Sequence, residues 1–502
     1  MSVEPIFERI NYQNKIFEKK EQIKSDCRTE IFSESVKNVL NVSAFAVVND
    51  CTITNGRAEY SGKIIYFVSY LTEDGLLKKT ECGNEFSGVI KDSAIEEGML
   101  GRIYSNVEKV EADVSGVKLS VSAYVNICLE TKRMEQFSAL SGGENLISNK
   151  KEIPFIKSFG TKEAIYPLEE EFELDYPVEE VLSHWANAVI TSVQCGVGSI
   201  IVDGEVILSA IMLQKTEKRD IIRENKCLPF RMEIECDDAM PTMTATARVS
   251  EKSFKTDVIT DEQNAKSIVN VSITLKFEGE AFANSQITVA TDAFSLDEEI
   301  ELEKGELSLN KNCDLRHTTS IISGRVALEE LPVSTTLYAI GGEKVEITSK
   351  NFDQTGINLV GVLTAVGYFK DEDKYFTRKL EMPFEKRIDS GFSEEVSLEI
   401  IVKPQRAKGK IITLTEMEME CELGVIIYPT ECERIQLVKG IKTVGEKKKC
   451  QSALSVYIAM EGEDLWSLSK RLNICPDRLI EINKELCFPL TGKERIVVYR
   501  QS

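Results

Sequence analysis

The sequence predicts a mostly β protein: three tandem β-sandwich-like units followed by a small βααβ module. Three observations predict it. The landmarks of one unit recur in the same order in three copies. Each copy ends in a long run that alternates apolar and polar residues. The end of the chain switches to helical spacing between two short apolar strands.

The repeat shows first in the segment Val36-Lys37-Asn38-Val39-Leu40, with Ala44, Ala46 and Val47 behind it. It returns as Val178-Glu179-Glu180-Val181-Leu182, with Ala186, Ala188 and Val189. Gly62 and Gly204 keep the same offset, and each opens an apolar run; Gly361 opens a third. Phe86, Phe230 and Phe384 follow, the last two preceded by proline. The closing strands read Val121, Ala123, Val125, Ile127, Leu129 in the first copy and Val269, Val271, Ile273, Leu275, Phe277 in the second. In the third they read Met417, Met419, Cys421, Leu423, Val425, with Glu416, Glu418, Glu420 and Glu422 between them. A period of two places one face on a core and the other in water, the pattern of half-buried antiparallel strands. The glutamate row is therefore read as a wet strand face, the rival being an acidic strip that docks a basic partner. Acidic stretches at Glu169–Glu173 and Glu298–Glu301 are likewise read as strands whose charged side discourages edge-to-edge sticking. The units are expected over residues 1–150, 151–290 and 291–440. A flexible linker is expected over 441–452, where glycine and Lys447–Lys449 occur, and the module over 453–502.

In the module, a strand from Val456 to Met460 leads to Glu461-Gly462-Glu463. Asp464 stands where a helix N-cap belongs. Leu465, Leu468 and Leu472 follow at helical spacing, and Trp466 is read as a core residue. Pro476 suits the first turn of a second helix, with Leu479, Ile480 and Ile482 as its apolar face. Gly492 turns the chain and Ile496 to Val498 return as a strand.

Composition limits the function. A net charge of −21 disfavours nucleic acid and anionic membrane surfaces and leaves room for a basic protein partner. Thirteen scattered cysteines without a Cys-x-x-Cys pair suit reduced thiols in cytosol. The N-terminus lacks the apolar stretch of a secretory signal, and the apolar run from Leu359 to Phe369 is too short to span a bilayer. His184 and His317 are the two histidines, neither with a ligand-spaced partner, and no nucleophile elbow or phosphate loop is spelled out. No catalytic residue, metal site or cofactor is expected.

The terminal β-α-α-β stretch resembles a LysM module, on Gly462-Glu463-Asp464-Leu465-Trp466, Asn483 and Gly492. That resemblance implies a groove for N-acetylglucosamine chains formed by Gly462, Asp464, Leu465, Asn483 and Leu486. Three carboxylates at its mouth, Glu461, Glu463 and Asp464, would repel an acidic glycan. The alternative is a LysM fold used as a protein-docking piece. With three β units ahead of it, marked by the Val-x-x-Val-Leu starts, the mid-unit glycine (Asp203-Gly204-Glu205-Val206 above all) and Pro-Phe, the chain resembles the SPOCS-domain proteins of spore-forming Firmicutes. This implies a non-enzymatic spore coat morphogenesis adaptor in the mother-cell cytoplasm, at the forespore surface. Its LysM-like end would dock on the SpoIVA-like ATPase of the coat basement layer. The other function in view is a peptidoglycan-binding protein of the spore cortex or wall.

Overall fold

The computed structural model describes residues 3–30, 35–261, 265–312, 315–353, 356–389, 396–447 and 454–499. Among them lie 21 strands and two short helices, so the protein is almost wholly β. One succession of strands occurs three times. The first set is β1 (Glu4–Glu30), β2 (Val36–Thr54), β3 (Arg57–Thr72), β4 (Leu77–Lys91), β5 (Leu100–Ser115) and β6 (Lys118–Glu144). The second is β7 (Ile147–Glu173), β8 (Val178–Cys195), β9 (Ser199–Gln214), β10 (Ile221–Glu235), β11 (Thr244–Thr260) and β12 (Lys266–Phe294). In the third, β13 (Glu298–Asn312) and β14 (Arg316–Ala327) share the place of one long strand. They are followed by β15 (Thr336–Asp353), β16 (Gly356–Asp371), β17 (Lys374–Asp389), β18 (Ser397–Thr413) and β19 (Glu416–Glu446).

Each set makes two antiparallel sheets. A meander, β2-β3-β4, β8-β9-β10 or β15-β16-β17, faces a sheet centred on the last long strand: β1-β6-β5, β7-β12-β11, or β13, β14 and β18 around β19. The alternating residues named above meet between the sheets. In the second set Val269, Val271, Ile273, Leu275 and Phe277 pack with Val202, Val206, Leu208 and Phe230. The recurring glycine and phenylalanine prove to be one device. Gly62 lies opposite Phe86, Gly204 opposite Phe230, and Gly361 opposite Phe384. A Cβ at Gly204 would stand 2.3 Å from the Val189 carbonyl oxygen and 2.4 Å from the Phe230 ring. The ring lies in the space that a side chain would fill, so glycine is required there.

The long strands outrun their own sheets, and their far halves converge. Ile10 and Ala139 of the first set, Ile153, Ile287 and Val289 of the second, and Leu307, Leu309, Ile435 and Leu437 of the third form one shared core. Leu140, Ala290, Ala293 and Val438 extend it toward the strand tips. The meanders converge too: Leu40 and Leu77, Leu182 and Ile211, and Ala339 and Tyr368 are packed together. Each set thus touches both others. Polar ties follow the same seams. Asn41 donates to Ser183 at 3.4 Å, Lys252 to the Val48 carbonyl at 2.6 Å, Lys403 to the Ala188 carbonyl at 2.8 Å, and Lys344 to the Val107 carbonyl at 3.4 Å. Arg223 is paired with the buried Glu343 and donates to the Ile340 carbonyl at 2.7 Å. Burial dominates at Glu343 and raises its carboxyl above the usual range, against the pull of Arg223.

The linker expectation needs correction. β19 runs on to Glu446 in register with β13, and the Lys447 N–H donates to the Asp297 carbonyl at 2.8 Å. Residues 441–447 are thus built into the sheet and its edge, because alternation there still has a strand partner; 448–452 lie outside the described residues. The final elements are β20 (Leu454–Ile458), α1 (Leu465–Leu472), α2 (Pro476–Ile482) and β21 (Arg495–Tyr499).

Candidate functional site

The terminal module owes its helices to the local signals. The Asp464 carboxylate accepts from the Ser467 N–H at 2.7 Å and caps α1; the Ser467 hydroxyl first, and then this N–H, lower its pKa. Pro476 sits in the first turn of α2. Leu468, Leu472, Leu479, Ile496 and Val498 are buried together. Ile480, expected on the apolar face of α2, instead points outward and is exposed. It follows Leu479 directly, and neighbours in sequence cannot share a helix face.

The five residues of the expected groove fall near one another, yet most of their groups are engaged internally. Gly462 has φ +78°, and its N–H bonds the Leu490 carbonyl at 2.7 Å. The Leu490 N–H returns to the Glu463 carbonyl at 2.9 Å, and Glu461 bridges Thr491. The two loops are therefore stitched together. Leu465 and Leu486 are half-buried against the module core. The Asn483 side chain bridges α2 and β21. Its amide donates to the Leu479 and Val497 carbonyls at 2.9 and 2.8 Å, and its oxygen accepts from the Val497 N–H at 2.7 Å. Asp464 alone of the five carries an exposed polar side chain. Of the acids at the mouth, Glu463 is buried and held by Arg471 through two bonds of 2.7 and 2.8 Å. The Arg471 guanidinium lowers its pKa, so this charge is matched rather than presented.

Trp466 is not a core residue of the module; here too the expectation is corrected. Its indole N–H donates to Asp292 at 2.8 Å, and its ring meets Phe294 edge-on at 5.3 Å between centroids. Lys470 binds the same Asp292 carboxylate through two contacts of 2.7 Å. Asn473 donates to the Leu296 carbonyl at 2.7 Å, and Lys447 reaches the Ser295 carbonyl and Asn473. Trp466 lies one position past Leu465 on α1, a step of about 100° that turns it off the module core and onto the tip of β12. Sequence reasoning missed Asp292 and Phe294. The signal was present: where β12 ends in Asp292-Ala293-Phe294, the end of β6 has Gly142-Gly143-Glu144. That difference restricts this mode of docking to the second set.

One face of the β20–β21 pair packs on the helices; the other is bare. Leu454, Val456 and Ile458 project from β20 and are 61, 60 and 70% exposed, with Met460 and Tyr499 beside them. Among the described residues β20 pairs with β21 only. Among the described residues no strand lies against its outward edge, whereas Asn483 occupies both backbone groups of Val497 on the far edge of β21.

The other sequence candidates take structural places. The glutamates of β19 point away from the core, and Met417, Met419 and Cys421 point into it. They are not a bare acidic strip. Glu418 lies between Arg325 and Lys410, Glu420 beside Lys408, and Glu422 beside Arg406 on the neighbouring strands. His184 is buried between Phe67 and Phe254, with ring centroids 4.7 and 4.9 Å away. Among the described residues no cluster of three His, Cys, Asp or Glu side chains is arranged to hold a metal ion, and no helix is long and apolar enough to cross a membrane. Comparison with known protein families, curated proteins and solved structures finds no match for this chain.

Proposed function

We propose that this chain is a non-enzymatic adaptor of spore coat morphogenesis. Three SPOCS-type β-sandwich units form its scaffold, and a LysM-like module docks on the basement-layer ATPase at the forespore surface, in the mother-cell cytoplasm. The observation that carries this is the exposed, mainly apolar outer face of the module, formed by Leu454, Val456, Ile458, Met460 and Tyr499, with Arg495 as its charge opposite Ile458. In a chain of net charge −21, an apolar strip beside a strand edge that no described strand covers suits the addition of a partner's strand and apolar side chains. The clamp from Trp466, Lys470 and Asn473 onto the β12 tip leaves this face pointing to solvent. On the other side, the amide of Asn483 and the backbone of Gly462 are already bonded, which leaves a glycan few partners there.

The test is capture of the coat-basement ATPase by the full chain and by Val456→Glu and Ile458→Glu. Both positions are exposed, so the fold should survive substitution. Binding should weaken by roughly tenfold or more for each, as for a residue central to an interface. Undiminished capture by both variants would refute docking through this face. Co-sedimentation with insoluble peptidoglycan separates the second function, which the left-handed Gly462 and Gly492 turns flanking the loop pair favour. Retention of the wild type that is lost on substituting Leu465 and Asn483, with the module still folded, would establish it.

A further inference from the structure

We infer that Cys27 and Cys82 are a redox-closable thiol pair, and that a reversible disulfide between them locks the seam between the two sheets of the first set. β1 borders one of those sheets and β4 the other; among the described residues each pairs only within its own sheet, β1 with β6 and β4 with β3. Side chains alone hold the two strands together. Lys19 donates to the Lys91 carbonyl at 3.1 Å. Asn84 donates to Ser25 Oγ at 3.0 Å and to the Asp26 carbonyl at 3.4 Å. Cys27 Sγ reaches the Gly83 carbonyl at 3.8 Å. Residue numbers rise along β1 as they fall along β4, and Cys27, set against Gly83, lies beside Cys82. From inside, the Tyr66 hydroxyl donates to the Ser25 carbonyl at 2.7 Å and fixes β1 in place. Both thiols are free and partly exposed. The Cys82 thiol is pushed up to about 12, by burial first and then by the Cys27 thiol bonded to it.

The other sets fill the same position differently. Four residues before Phe230, as Cys82 stands before Phe86, is Lys226, whose ammonium lies 5.0 Å from the Phe172 ring centroid. Phe172 pairs with Val269 as Cys27 pairs with Val121. Before Phe384 the residue is Leu380. The first set alone can be closed covalently at this position.

A low-molecular-weight disulfide supplies the oxidant. The Cys27 thiolate attacks one of its sulfurs, forms a mixed disulfide and expels the other half as a thiolate. Cys82 gives its proton to that thiolate and attacks Cys27 Sγ, expelling the second half. Two protein S–H bonds become one S–S bond, and the oxidant's S–S bond becomes two S–H bonds.

The experiment is treatment of the full-length protein with excess oxidised glutathione, followed by alkylation, digestion and mass spectrometry. The expected result is a Cys27–Cys82 linked peptide as the major product at these positions, dissolved by dithiothreitol. Oxidation should also raise the urea midpoint of the wild type and leave that of Cys82→Ser unchanged. Recovery of both residues alkylated, or of Cys27 carrying glutathione with no linked peptide, would overturn the inference. The exposed Cys227 and Cys432 report in the same digest that the oxidant was active.

Discussion

Acid should weaken the protein through His184 well before its carboxylates are protonated. The imidazole is 6% exposed, lies between the Phe67 and Phe254 rings, and its Nε2 has no hydrogen-bond partner among the described residues. Burial, aided by Lys79 and opposed by Asp257, pushes its pKa down to about 3. An unfolded histidine titrates near 6.5. Above that value both states are neutral, and the group contributes nothing to the pH dependence. As pH falls below it, the unfolded chain takes up a proton that the folded chain cannot hold, so stability is lost progressively down to the folded value. The slope approaches about 1.4 kcal/mol per pH unit, which amounts to about 2 kcal/mol between pH 7 and pH 5. Urea unfolding followed by the emission of the neighbouring Trp185, in wild type and His184→Leu, isolates this contribution from that of the carboxylates. The wild type should lose about 2 kcal/mol more than the variant over that interval. Parallel curves for the two proteins would refute the reasoning, because the histidine would then hold its proton in the folded state.

Other perturbations have distinct signatures. Gly204→Ala should cost about 1–3 kcal/mol, since its Cβ meets both a carbonyl oxygen and the Phe230 ring; thermal unfolding measures it. Arg223→Leu leaves the buried Glu343 unmatched and should cost about 3–5 kcal/mol in urea unfolding. Replacing both residues by apolar ones should restore most of it. Asp292→Ala removes the shared acceptor of Trp466 and Lys470, about 1.5–3 kcal/mol of docking. Its expected signature is a red shift of the Trp466 emission with the unfolding of the β sets unchanged.

How much was legible differs from element to element. The strands of β6, β12 and β19 were readable because a period of two is a local property. The Gly–Phe landmarks were readable as a repeat but not as a contact, since nothing local says that Gly204 and Phe230 face each other. In the module, Asp464 and Pro476 announced their helices. The same pattern misplaced Trp466 and Ile480, because one step along a helix decides between the core and another surface. The groove residues were legible by position only. That Asn483 is occupied with Val497 depends on a strand fourteen residues further on, which no spacing rule encodes.

By itself the sequence determined a mostly β protein that ends in two short helices, because alternation, turn glycines and caps act within a few residues. The joining of the three sets was decided only by tertiary structure. Ile10, Val289 and Leu437 meet in one core although each lies more than a hundred residues from the next. In the sequence each belongs to an ordinary apolar strand end. Hydrophobic burial has no direction of its own, so such residues carry the demand to be covered without naming what covers them. The fold supplies that partner, and in doing so it anchors the module on the Asp292 tip.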